Sequence, residues 1–340
     1  MTQSIIAYNP ILATQLIKGR PSNILDPFLV DAGMYDTYQK VFGKHPNCQI
    51  DRTGQLPHFF NVKFLDPLPV ARDISFEDAT RIRAQELIAQ NKPITVFWSG
   101  GLDSTFTLMC LLEYAEPGQI SLFGTYASII EAGDLFDNHI KNRVQYTIGV
   151  FGLDLVPNKE CLYVSGMLGN QVFGPGNWFN NITTPFKFGT LETIHKDYKT
   201  VIDPEILEIL DPSIQAYPGR IETVEDFRCF MMFNFPWQGM KYEQNIYFPF
   251  KDYGEIHAFF DSTEIQQWSM STREPKQLDP ADNLTHRWQM RQLIDQWIGA
   301  NNYTRSKDKA ISVLYTKKHE WFALLDNYTN IYFKDAPAYG

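Results

Sequence analysis

The chain has little to offer metal or disulfide chemistry: four cysteines in 340 residues, none in a Cys-x-x-Cys pair. Cys48, Cys110, Cys161 and Cys229 lie far apart, which excludes a zinc ribbon and a disulfide framework. Cys110 sits in an apolar helix pattern and Cys161 just before an apolar strand pattern, so both read as buried thiols of a reducing compartment. No apolar run approaches about 18 residues, so no membrane span is expected. The first twenty residues, MTQSIIAYNPILATQLIKGR, lack a basic region followed by a clean apolar run, and no signal peptide is expected. The Asn-x-Thr sequons, such as the one at Asn181, are then chance matches, and a cytoplasmic location follows. Positive charge is also short: 30 Lys and Arg stand against 39 Asp and Glu, for a net charge of −9. Such a chain has no general attraction for nucleic acid or anionic membrane, which leaves only a local basic groove. The seven histidines show no metal-ligand spacing, and no Ser-His-Asp or Cys-His pattern stands out.

What is present is an ordinary globular composition with 14% aromatics, which points to large packed cores and stacking surfaces. The length suits two domains or subdomains. Residues 1–75 alternate short apolar runs with Pro, Gly and Asn and read as a mixed strand and loop segment. Ser75 followed by Asp78 is a weakened capping box before a helical apolar stripe. ITVFW, residues 94–98, reads as a buried strand, followed by a helix from about 105 to 114. GQISLFGTYAS gives a second strand, DLFDNHIKNRVQYTIGVFG a second helix and ECLYVSG a third strand. Alternating strands and helices mean crossovers and a parallel sheet, so residues 76–190 form an α/β domain. From 191 to 340 the patterns read mainly as helices, including YGEIHAFFDSTEIQQWSM and KDKAISVLYTKKHEWFALLDNY, and suggest a helical substrate subdomain.

The run SGGLDS, residues 99–104, falls where open parallel sheets bind ligands, beyond the carboxyl end of a strand. Gly100 and Gly101 can take unusual dihedrals and let a ligand press on the backbone. The N–H groups at the start of the next helix favour an anion, and Ser99, Ser104 and Thr105 add hydroxyl donors. Asp103 is out of place beside a phosphate unless it reaches the phosphates through Mg²⁺. The plain alternative is a strand-to-helix turn capped by Asp103 or Ser104. No Gly-Lys-Ser/Thr follows, so the loop is not a Walker A loop.

SGGLDS resembles the signature of the N-type ATP pyrophosphatases, the PP-loop (adenine-nucleotide α-hydrolase-like) family. Three later stretches resemble the asparagine synthetase branch in order: LYVSGMLGNQVFGPG its second loop, QNIYFPFKDYGEIHAFF its Arg-x-Pro-Phe-x-Asp stretch, and HRWQMRQLIDQWIGANNYTRSKDKA its Leu-Arg helix and Arg-x-Lys segment. The resemblance spans about 75–320. It implies a Rossmann-like parallel sheet with helices on both faces, plus the C-terminal helical subdomain and the mixed N-terminal segment. It implies ATP and Mg²⁺, cleavage between the α and β phosphates, adenylation of a small-molecule carboxylate, and displacement of AMP by an amine or ammonia. Asp103 would hold the metal. Lys307, which matches the family lysine, would meet the α-phosphate and stabilise charge in the transition state; Lys309 competes for that role. Arg291 and Arg305 would grip pyrophosphate, against a surface salt bridge as the equal alternative. Ser165 and Gly166 would meet ATP at the end of the third strand, and Tyr126, just past the second, would meet adenine through backbone groups. Asp252 and Glu255 read as a helix cap or as groups that hold a substrate amine.

The departures from the branch narrow the expectation. Its second-loop acids fall on Met167, Asn170 and Gln171, which keep shape but not charge, and its Arg before Pro-Phe falls on Tyr247. The spacing between the two loops is shorter than in asparagine synthetases, which implies a remodelled substrate pocket. Thr2 stands where the branch's glutaminase has its cysteine, so ammonia from glutamine by that route is not expected. The leading reading is an AMP- and pyrophosphate-forming ligase. Two readings stand beside it: a PP-loop enzyme that modifies a nucleobase or tRNA, and a nucleotide-binding protein that has lost the chemistry. Nucleic acid is not the expected partner, and self-association is left open.

Overall fold

The computed structural model describes residues 4–7, 68–150, 154–174, 211–222, 224–234, 237, 240, 256–272, 276, 287–299, 304, 321–326 and 330–335, with backbone alone at 4–7, 224, 225, 228, 321–326 and 330–335. The chain forms two units that interleave in sequence. One gathers Met1–Ala71, Gly174–Glu243 and His319–Gly340; the other gathers Arg72–Phe173 and Gln244–Lys318. Elements are numbered in chain order across both.

The first unit holds an antiparallel sheet of β1 (Ser4–Ala7), β7 (Trp321–Asp326) and β8 (Asn330–Asp335), in the order β1-β7-β8. Residues 321–326 were expected in a helix. WFALLD pairs instead with NIYFKD, Asp326 opposite Asn330, because aromatic residues in both segments and Ile331 in the second suit paired strands. The same unit contains α5 (Val224–Asn234), whose Phe227, Phe230 and Phe233 are buried with Trp237.

The second unit is α/β. Its sheet has five strands, all parallel, in the order β4-β3-β2-β5-β6: β2 (Ile94–Trp98), β3 (Ile120–Gly124), β4 (Gln145–Ile148), β5 (Leu162–Ser165) and β6 (Ile256–Ala258). A parallel sheet with intervening helices is consistent with a Rossmann-like fold. ITVFW is central because both of its faces are covered: Ile94, Val96 and Trp98 are buried, and on the other face Phe97 stacks on Tyr163 at 5.7 Å. Helix α1 (Phe76–Ile88) starts as the sequence suggests, with Ser75 Oγ accepting from Asp78 N at 3.0 Å. Helix α2 (Leu102–Tyr114) follows β2, and α3 (Tyr126–Leu135) follows β3 behind a Thr125–Ser128 capping box. Helix α4 (Gly169–Val172) is a single turn after β5; α6 (Thr263–Ser271) and α7 (Trp288–Ile298) follow β6.

Two helix expectations are corrected here. The second helix begins eight residues earlier than expected, at Tyr126, and closes with a π-helical turn, Phe136–Ile140. The rest of its supposed length supplies β4, whose Tyr146, Thr147 and Ile148 pair with β3. YGEIHAFF likewise carries β6, with Ile256 and Ala258 buried and His257 half-buried, a two-residue period that outweighs the apolar run. Arg83 fixes the end of this strand, donating from Nη2 to Ala258 O and from Nε to Phe259 O, both at 3.2 Å. Phe76, Phe106, Phe173 and Trp268 then form an aromatic core, with Phe76 centroids 5.3, 5.1 and 4.7 Å from the other three. Each such pair adds roughly 0.5–1.5 kcal/mol beyond its buried area.

The strand order positions the site. From β2 the chain moves to β3 and β4 on one side, then crosses to β5 and β6 on the other. The direction reverses between β2 and β5, the point beyond whose strand carboxyl ends open parallel sheets bind ligands. No helix among the described residues is long and apolar enough to cross a membrane.

Candidate functional site

Two loops meet at that reversal. The first, 99–101, leaves β2 and enters α2 at once, so the helix starts three residues earlier than expected. Its internal bonds explain the run of small residues. Ser104 Oγ accepts from Ser99 N at 3.1 Å, lies 3.0 Å from Ser99 Oγ and donates to Gly101 O at 3.1 Å. Ser99 Oγ accepts from Gly101 N at 3.2 Å. Thr105, expected at a phosphate, has its Oγ1 accepting from Trp98 Nε1 at 3.0 Å and is buried.

Gly100 is required here twice over. Its φ is +79°, and a Cβ would come within 2.7 Å of Ser128 O, a backbone atom that cannot turn aside. The contact ties the loop to the first turn of α3, where Ser128 Oγ also donates to Trp98 O at 2.9 Å. Tyr126 opens that turn and is 69% exposed, so its ring is open to a ligand.

Neither Asp103 nor Ser104 caps α2. The N-cap is Gly101, with no side-chain bond to the first turn. The first turn of this 13-residue helix thus carries no side-chain cap, and its Leu102 and Ser104 are buried. The plain capped-turn alternative is therefore not what the chain adopts.

The second loop leaves β5 at Gly166. A Cβ there would lie 2.6 Å from both Asp103 C and Ser104 N, so the two loops touch backbone to backbone. Ser165 is buried, its carbonyl accepting from Phe259 N at 2.9 Å and its Oγ from Met167 N at 3.4 Å. Leu168 takes the left-handed conformation, φ 70°, and α4 starts behind it. A Cβ on Gly169 would lie 2.7 Å from Asp103 Cγ. Ser99, Gly100, Gly101, Asp103, Ser104, Ser165 and Gly166 are thus brought together.

Arg287, which sequence reading did not single out, completes the cluster. Its Nη1 lies 2.5 Å from Asp103 Oδ1, with the two side chains 13% and 26% exposed. It stands at the start of α7 with φ 64° and ψ 38°, an uncommon conformation for a residue with a side chain. Its position four residues before Arg291 was visible in HRWQMRQ, but its partner 184 residues away was not.

Arg291, expected at pyrophosphate or in a salt bridge, makes a bond to the backbone. Its Nη1 donates to Thr304 O, and Thr304 is also held by Asp295, through Oγ1 at 2.8 Å and N at 3.3 Å. Lys307, Arg305, Lys309, Asp252, Glu255 and Tyr247 lie outside the described residues.

The metal expectation can be tested on the donor set. Asp103 offers a hard carboxylate oxygen at the head of α2, but no group of three or more His, Cys, Asp or Glu residues is placed to hold a metal among the described residues. One carboxylate fits Mg²⁺ shared with phosphate oxygens, and it does not fit a metal held by protein alone. No family model matches the chain, and no curated protein matches it.

Proposed function

We propose that the chain binds Mg·ATP on residues 99–104 and acts as an AMP- and pyrophosphate-forming ligase of the PP-loop type, with the asparagine synthetase branch as its model. The observation that carries this is the meeting of the two loops: SGGLDS and the Ser165-Gly166 turn flank the point where strand order reverses.

In this reading the uncapped first turn of α2 and the Ser99 hydroxyl hold phosphate oxygens, while Ser104 shapes the loop through Gly101 O. The close approach that Gly100 and Gly101 permit brings the backbone against them. Bound Mg²⁺ would neutralise phosphate charge, held on the protein side by Asp103. Tyr126 borders the base, and Lys307 with Arg305 would supply positive charge at the α-phosphate and pyrophosphate. The acid is a small-molecule carboxylate, and the nucleophile an amine or ammonia from elsewhere. The wider architecture of this proposal is a PP-loop sheet with a C-terminal helical substrate region, in the cytoplasm.

The test is nucleotide product analysis with Mg²⁺, ATP and panels of carboxylates and amines. AMP and pyrophosphate in equal amounts are expected, and Asp103→Asn should abolish them. Exclusive ADP formation would sink the mechanism. A second reading is favoured by one observation: Met167, Asn170 and Gln171 carry no charge in the second loop. A nucleotide-binding protein without turnover would show ATP binding by calorimetry and no pyrophosphate with any substrate.

A further inference from the structure

Asp103 is pinned on two sides. Gly169 lies against its Cβ and Cγ so closely that no side chain fits between them, and the Arg287 guanidinium sits 2.5 Å from Oδ1. The guanidinium charge beside Oδ1 works against a second cation on the same carboxylate. Arg287 itself has two marks of a residue held for a purpose. Its backbone stays in the left-handed region, and its Nε is buried with no hydrogen-bond partner. A purely structural ion pair would satisfy the guanidinium fork on both sides. This one is satisfied at Nη1 and left open at Nε, which suits a contact that exchanges.

We infer that Arg287 is a positioning residue that acts through Asp103: it is the internal counter-ion of this carboxylate, and its charge weakens the hold of Asp103 on a divalent cation that comes without phosphate. This rests on the reading of the loop as a phosphate and metal site. The consequence is order. Cation alone meets a carboxylate already neutralised, whereas cation arriving with phosphate oxygens brings ligands and negative charge that outweigh the guanidinium.

The experiment is a Mn²⁺ titration of the full chain without nucleotide, following free Mn²⁺ by electron paramagnetic resonance. Arg287→Asn is the informative variant, because Asn tolerates the left-handed backbone while removing the charge. It should bind Mn²⁺ about 10-fold more tightly than wild type, the low end of what one adjacent charge does to a carboxylate. The gain should vanish in the Asp103→Asn, Arg287→Asn double variant, and Arg287→Lys should behave as wild type. Identical isotherms for wild type and Arg287→Asn would overturn the inference, as would a gain that survives in the double variant. If Arg287→Asn does not fold, Arg287→Gly takes its place, since Gly accepts the left-handed backbone and also removes the charge; the same gain is expected, and its absence would overturn the inference. Failure of ATP to bind would strike the nucleotide reading and leave this comparison intact.

Discussion

Gly169 leaves the space that Asp103 fills: a Cβ on Gly169 would lie 2.7 Å from Asp103 Cγ and 2.9 Å from Asp103 Cβ, with Phe260 Cε2 at 2.8 Å on the other side. Gly169→Ala therefore has no cheap relief. Overpacking of this kind costs about 1–3 kcal/mol. Urea unfolding should show that loss, and the ion pair with Arg287 should break with it. Gly118→Ala is the control: φ there is +82°, but nothing lies within 4 Å, so backbone strain alone is felt. Since Gly169 itself has no positive φ, a Gly169→Ala variant as stable as wild type would mean that the Asp103 contact contributes nothing.

How far this site could be read from sequence depended on sequence separation. Residues 94–114 fold locally, and the strand, the glycine turn and the helix were all legible. So was the Ser75 cap, whose partner is three residues away. Asp103 was identified, but its pairing was not, because Arg287 reaches it from a distant helix. Arg291 was singled out as well, but its bond to Thr304 O was not legible. The strands at 256–258 and 321–326 were read as helix because short apolar runs suit both periods, and neighbouring strands decide between them.

Cys110 lies in α2 and is buried, and burial pushes its thiol well above the ordinary range, with Glu113 adding to the shift and a hydrogen bond to Thr80 opposing it. Little thiolate exists near neutral pH, and thiolate is the reactive form. Iodoacetamide at pH 8, followed by peptide mass mapping, should leave Cys110 unmodified in the folded chain and modify it after denaturation. Equal labelling in both states would contradict the burial.

Asp78 sits in the first turn of α1, hydrogen-bonded by Arg81 at 2.7 Å and by Ser75 at 2.8 Å. The Arg81 bond, with Ser75 behind it, holds its carboxyl below the usual value. A depressed folded-state pKa contributes stability above the unfolded carboxylate's pKa, about 3.9, and loses it as pH falls through the folded value. Asp78→Asn should therefore lower the melting temperature at pH 7 by a small amount, and the difference should shrink toward zero as pH drops below about 4. A difference that grows in acid would reverse the sign of the argument.

The central claim is that residues 99–104 hold the phosphates of ATP, and calorimetric titration of Mg·ATP into wild type and Gly100→Ala tests it most directly. A side chain at Gly100 meets Ser128 O at 2.7 Å from a backbone with φ +79°, so the loop cannot keep its shape. Wild type should bind ATP at one site in the range of about 1 μM to 1 mM typical of enzyme substrates. Gly100→Ala, checked as folded by circular dichroism, should bind at least about 10-fold more weakly, a loss of about 1.4 kcal/mol. No binding by wild type, or the same affinity in Gly100→Ala, would contradict the account.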